Sequence, residues 1–253
     1  MNSARKNELK AKAAQLAAGL RDELHLTDLM PLDVDRLLRE TGVQALFRAM
    51  ADNSSGMAIR TKSSDGSVHR FMMVNTGKAL GHQRFTVCHE LYHLLYQEEF
   101  NCVKENTASF DDSDPEEYTA DWFASYLIIP KGALERLVPV EEQRGKVKLS
   151  TLLMIEQSFL CSRSSLLFRL KDLGWIDGSM YNTYALSVKR GALSYGYPTT
   201  LYEPTGAHAF VGDYNLMARR LFDEGKISYA KLVSLLKDIG LDLNAEAEDH
   251  GEL

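Results

Sequence analysis

The apolar positions of this chain fall into segments with different periods. The densest, Phe85 to Tyr96 (FTVCHELYHLLY), is apolar almost throughout, which in a helix means burial on most sides. Three polar side chains, His89, Glu90 and His93, interrupt it. An ionised carboxylate buried without partners is expensive, so something inside the protein must hold this trio. Upstream, residues 3–25 are rich in Ala and Lys and predict a helical N-terminal arm (residues 1–30) with a solvated, mixed-charge face. Pro31 and Asp33 open a short helix that Gly42 ends. Val43 to Phe47 predicts a strand, and residues 57–62 and 68–75 predict a hairpin around Asp65–Gly66.

Downstream, residues 101–114 are polar and predict a loop. Asp114 as N-cap, Pro115 at the first helical position and two following glutamates predict a helix that Pro130 ends. Residues 149–173 predict two short helices around FLCSRS. From residue 177 the pattern weakens. A last helix is expected at 227–239, followed by a disordered acidic tail, NAEAEDHGEL. The order of elements predicts an α+β fold, with a small sheet preceding the His89 helix.

Composition refines this only slightly. Hydrophobic content of 45% and charged content of 25% suit a globular domain. The start lacks an apolar signal region, and no apolar run approaches the ~18 residues of a membrane span. Cys88, Cys102 and Cys161 form no C-x-x-C, so reduced thiols in a cytoplasmic protein are expected. A net charge of −6 argues against a chain built mainly to hold nucleic acid.

His89 and His93 are four apart, so on a helix both imidazoles project from one face and can meet one Zn²⁺. Glu90, one position on from His89, sits where a general base reaches a metal-bound water: the H-E-x-x-H arrangement. The alternative is a pair of core histidines satisfied by backbone carbonyls. A hydrolytic site needs three protein ligands and an open position. The third candidate is Glu117, 24 residues beyond His93, with Glu116 and Asp121 as alternatives. Asp121 lies on the same face as Glu117, where a carboxylate can orient a ligating histidine. Against ligation, Asp114-x-x-Glu117 also fits a capping box.

Two stretches, RFTVCHELYHLL and EEYTADWFASYLIIP, resemble the ImmA/IrrE family of zinc metallopeptidases. In that family an H-E-x-x-H helix is paired with a helix of the form E-x-x-A-N-x-F-A-x-x-L-x-x-P. Glu117, Ala120, Phe123, Ala124, Leu127 and Pro130 match the second pattern in register, and the resemblance covers residues 31–176. It departs at Tyr92, where a small residue is more usual, and at Asp121, where asparagine is. The resemblance implies a zincin-like core (residues 31–140) with a small, mostly antiparallel sheet against the two metal helices. A helix-turn-helix-like segment (141–176) and a C-terminal extension (177–253) would follow. It implies zinc on His89, His93 and Glu117, with Glu90 as base. It further implies limited proteolysis of a cytoplasmic helix-turn-helix repressor in stress or mobile-element regulation.

Two rival readings are a catalytically silent zinc-binding adaptor and a DNA-binding regulator using Arg163, Arg169 and Lys171; a toxin-like role is a weaker third. Residues Phe71–Asn75 are expected as an edge strand that aligns substrate. Cys88 is expected to pack in the core. Tyr118, Tyr126 and His208 are among the residues open as oxyanion donors, and His25, His69, His82 and His250 carry no assignment.

Overall fold

The structure is a computed structural model and describes residues 1–51, 53–98, 100, 103–105 (backbone) and 113–243. Helix α1 (Ser3–Glu23) is capped by Asn2, whose side chain accepts from the Arg5 N–H. Helix α2 (Val34–Glu40) is capped by Asp33 and ends at Gly42, whose φ of 64° a glycine adopts freely. Strand β1 (Val43–Arg48) follows, then the hairpin of β2 (Gly56–Lys62) and β3 (Val68–Asn75), and then α3 (Leu80–Tyr96). After β4 (Val103–Glu105) come α4 (Pro115–Ile128), α5 (Lys131–Leu137), α6 (Leu149–Phe159) and α7 (Arg163–Asp172).

The chain forms an α+β fold around a five-stranded mixed sheet of order β4-β2-β3-β1-β5, where β5 is Ala209–Val211. Among the described residues only β1 and β3 pair in parallel; the other pairings are antiparallel. Period-two alternation buries Met72 and Val74 of β3 together with Ala58 of β2 and Ala45 of β1. Helix α3 lies against β2 and β3 on one side and α4 on the other. That position encloses it on two sides, with Phe85, Val87, Leu91 and Leu94 fully buried.

Four expectations change. The N-terminal helix keeps an exposed, mixed-charge face but is not a free arm: α1 packs on α4 through Leu9, Ala13, Ala17 and Leu20, all buried. Two of these are alanines, which let the helices approach closely but leave little trace in the hydrophobic pattern. The strand Phe71–Asn75 is not an edge, because β1 and β2 flank it on either side; the parallel partner comes from residues 43–48, a non-local pairing without a local signal. The polar stretch 101–114, expected as a loop, contains β4, paired with β2; residues 101, 102 and 106–112 lie outside the described residues, as does the acidic tail 244–253. The weak pattern beyond residue 177 conceals α8 (Gly178–Tyr184), α9 (Val188–Ser194), a 3-10 turn (Thr200–Tyr202), β5 and α10 (Tyr214–Asp223) before the expected last helix, α11 (Tyr229–Asp238).

This extension is joined to the core: β5 pairs with β1, and Leu80 N–H donates to Glu203 O at 2.9 Å. Helices α10 and α11 bury a small core of their own around Ala218, Leu232, Leu236 and Ile239.

Helices α6 and α7 form as the sequence predicts, but two of the arginines suggested for a DNA groove face inward. Arg163 forms a buried ion pair with Glu156, with Nη2 to Oε2 at 2.9 Å. Arg169 is 1% exposed and donates to Ser125 O (3.2 Å) and Ile129 O (2.9 Å), with its guanidinium 4.2 Å from the Tyr126 ring centroid. From the other side Arg21 of α1 donates to Leu127 O at 2.8 Å. Two buried cations thus satisfy carbonyls at the C-terminal, negative end of α4.

Candidate metal centre

The site begins with the two histidines of α3. Their four-residue spacing places His89 Nε2 and His93 Nε2 3.1 Å apart, both side chains buried. Helix α4 brings Glu117 against them: its Oε2 is 3.1 Å from His89 Nε2 and its Oε1 3.2 Å from His93 Nε2. Asp114 caps α4 by accepting from the N–H groups of Glu116 and Glu117. The Glu117 side chain therefore contributes to the triad, while the Asp114 carboxylate serves the helix end. Tyr92 OH donates to the Glu116 carboxylate at 2.7 Å, so the first turn of α4 is held by its own cap and by α3. Lys12 of α1 lies 3.4 Å from that hydroxyl.

The far nitrogens of both imidazoles are also engaged. Asp121 Oδ1 lies 2.9 Å from His89 Nδ1, and Gln97 Oε1 lies 2.5 Å from His93 Nδ1. Both oxygens act as acceptors, so each Nδ1 carries the proton and each Nε2 presents a lone pair. Two imidazole lone pairs and a carboxylate then converge on one point, an electron-rich cluster that calls for positive charge. A tetrahedral ion with ligand distances of about 2.0–2.1 Å has ligand–ligand edges of about 3.3–3.4 Å. The one ligand–ligand edge between the two imidazoles is 3.1 Å, and each Nε2 has a different oxygen of the Glu117 carboxylate at 3.1–3.2 Å, so these three residues could hold a small divalent cation.

The protonation equilibria carry the same demand. Burial by itself would lower the His89 pKa, but the Asp121 and Glu117 carboxylates outweigh it and push it up to about 10. Burial likewise opposes ionisation of Glu117, yet His89 and His93 hold its carboxyl well below the usual range. Without a metal, a proton on His89 supplies the missing charge.

Glu90, buried on α3, faces the start of β2. A Cβ on Gly56 would sit 2.7 Å from Thr86 Cγ2, 2.8 Å from Met73 O and 3.6 Å from Glu90 Oε1. Glycine is what allows β2 to pass this close to the helix. Cys88 is fully buried, and burial raises its thiol to about 12, consistent with core packing.

The structure brings His89, His93, Glu117 and Asp121 together and leaves Glu116 to Tyr92. Of the oxyanion candidates, Tyr126 packs against Arg169, and His208 bonds the Asp238 carbonyl at 3.1 Å. Sequence reasoning missed Gln97, although its place four residues after His93 was a usable signal. It also left out His82, seven residues before His89, which is 2.8 Å from Ser55 Oγ. The part played by α1 had no sequence signal.

A family model described as the IrrE N-terminal-like domain, Peptidase_M78, matches residues 39–171. The match spans β1 to α7 and contains every residue of the triad. Among curated proteins none matches.

Proposed function

The chain belongs to the IrrE N-terminal-like family, Peptidase_M78, and from that premise we propose that it is a zinc-dependent endopeptidase. The observation that carries this reading is the convergence of His89 Nε2, His93 Nε2 and the Glu117 carboxylate at 3.1–3.2 Å, with Asp121 behind His89. His89, His93 and Glu117 hold the ion. Zinc bound there supplies Lewis-acid polarisation of a carbonyl and lowers the pKa of a coordinated water toward ~7.

The chain's own groups do the rest. Glu90 accepts the proton of the attacking water and passes it to the leaving amine. Asp121 and Gln97 fix the tautomers of the two histidines, so both Nε2 atoms stay available as ligands. The first turn of α4, held by Asp114 and by Tyr92 through Glu116, keeps Glu117 in place.

The proposed substrate is a cytoplasmic helix-turn-helix repressor, cut at a limited number of positions. This part of the proposal rests on the family resemblance alone. The inward orientation of Arg163 and Arg169 favours peptide hydrolysis over DNA binding by α6 and α7. The test is incubation of the zinc-loaded protein with such a repressor, followed by intact-mass analysis. Discrete fragments with wild type and none with Glu90→Gln, at equal zinc content, support the reading. Equal cleavage by both proteins, or by neither, counts against it.

A further inference from the structure

A cavity of about 670 Å³ lies where the family core meets the C-terminal extension, a volume typical of small-molecule sites. One side is the start of α3, including His82, and the first turn of α7. The other side is built by α8, α9 and the 3-10 turn, all beyond the residues matched by the family model. The wall is largely apolar: the half-buried Val188 and Tyr181 line it, with the buried Leu201 behind them.

Its charged lining is of one sign: Arg163, Lys189 and Arg190, with no carboxylate. These three cations are not equivalent. Arg163 is neutralised by Glu156, which lies behind it and also accepts from Tyr202 OH at 2.8 Å. Lys189 pairs with the exposed Glu203 at 3.3 Å, a contact that water and salt weaken. Arg190, exposed at the rim, forms no ion pair among the described residues. Neither α3 nor α7 carries an acid in its first turn, so the field of both helix starts adds to the positive charge.

An apolar recess rimmed by a solvent-exposed guanidinium that has no carboxylate partner is matched by a ligand with an apolar body and an anionic head. We propose that this cavity binds a small amphiphilic anion, with its carboxylate or phosphate head on Arg190 and Lys189 and its apolar body against Val188 and Tyr181. The ligand touches both α3 and the C-terminal extension, so it links the two parts of the chain. The proposal does not depend on the metal reading, since no wall residue belongs to the triad.

The test is isothermal titration of the full, zinc-loaded chain with four probes of equal chain length: octanoate, octyl phosphate, octanol and octylamine. Saturable one-to-one binding of octanoate or octyl phosphate is expected, and which of the two binds better identifies the head group. Octanol should bind at least about tenfold more weakly, and octylamine not at all. Arg190→Glu should weaken anion binding by about tenfold or more with an unchanged circular dichroism spectrum, and Val188→Trp should abolish it by filling the space. Equal affinity for octanol and octanoate, no saturable binding of either anion, or wild-type affinity in Arg190→Glu would overturn the proposal.

Discussion

Asp121 Oδ1 and His89 Nδ1 lie 2.9 Å apart, one helical turn beyond Glu117 on α4. A single helix therefore offers one carboxylate to the cation position and another to the back of a ligating imidazole. Removing the second should loosen the ion without displacing a ligand. Asp121→Ala is expected to lower zinc affinity by about 10–100-fold. Asp121→Asn keeps an acceptor oxygen and should lose less. Competition against a metallochromic chelator measures both, and an unchanged affinity in Asp121→Ala would remove Asp121 from the site.

The buried guanidinium of Arg169 is a structural tie between α7 and the C-terminal end of α4. Arg169→Met keeps much of the apolar stem but removes the donor to the Ile129 carbonyl and leaves the Ser125 carbonyl with the Ile129 N–H alone. A loss of about 2–4 kcal/mol is expected in urea unfolding. Any affinity of the protein for duplex DNA should stay the same, because this side chain does not reach solvent.

Gly56 tests how tightly β2 and α3 must fit. In Gly56→Ala the new methyl meets the Met73 carbonyl oxygen at 2.8 Å, and that oxygen is backbone and cannot swing aside. The expected cost is about 1–3 kcal/mol from overpacking. Thermal unfolding should show it in the metal-free protein as well, since the clash is with the sheet rather than with the triad.

His82 sets a pH dependence dominated by its own burial, with smaller contributions from the charges of Lys78, Asp121 and His89. Burial lowers its pKa from 6.5 to about 4. Above pH 6.5 the ring is neutral in both folded and unfolded chains and contributes nothing. Between pH 6.5 and 4 the unfolded chain takes up a proton that the folded chain refuses, so stability falls as pH falls. The loss levels off below pH 4 at about 3 kcal/mol. Comparing urea midpoints of wild type and His82→Gln across this range isolates the effect, and parallel curves would contradict it.

The two helices that carry the triad were legible in the sequence because their signals are local. Histidines four apart in an apolar run, and an N-cap, proline and glutamates opening the next helix, follow from helix geometry. Asp33, Asp114 and Asp65–Gly66 marked element ends for the same reason. What was missed depends on pairing across long sequence distances. The parallel contact between Val43–Arg48 and Arg70–Asn75, the addition of Ala209–Val211 to the sheet edge, and the α1 stripe of Leu9, Ala13, Ala17 and Leu20 each need the partner to be known first. Arg163 and Arg169 looked like surface cations, since a sequence does not show that Glu156 and the α4 carbonyls are waiting for them.

The central claim is a three-ligand zinc site, and metal content tests it most directly. Zinc per chain should be measured in wild type, His93→Ala and Glu117→Ala, purified identically without added metal. Close to one zinc in wild type, with loss in both variants, is the expected result. Absence of stoichiometric zinc in wild type even after reconstitution would mean that the trio on α3 is structural, and the peptidase reading would have to be abandoned.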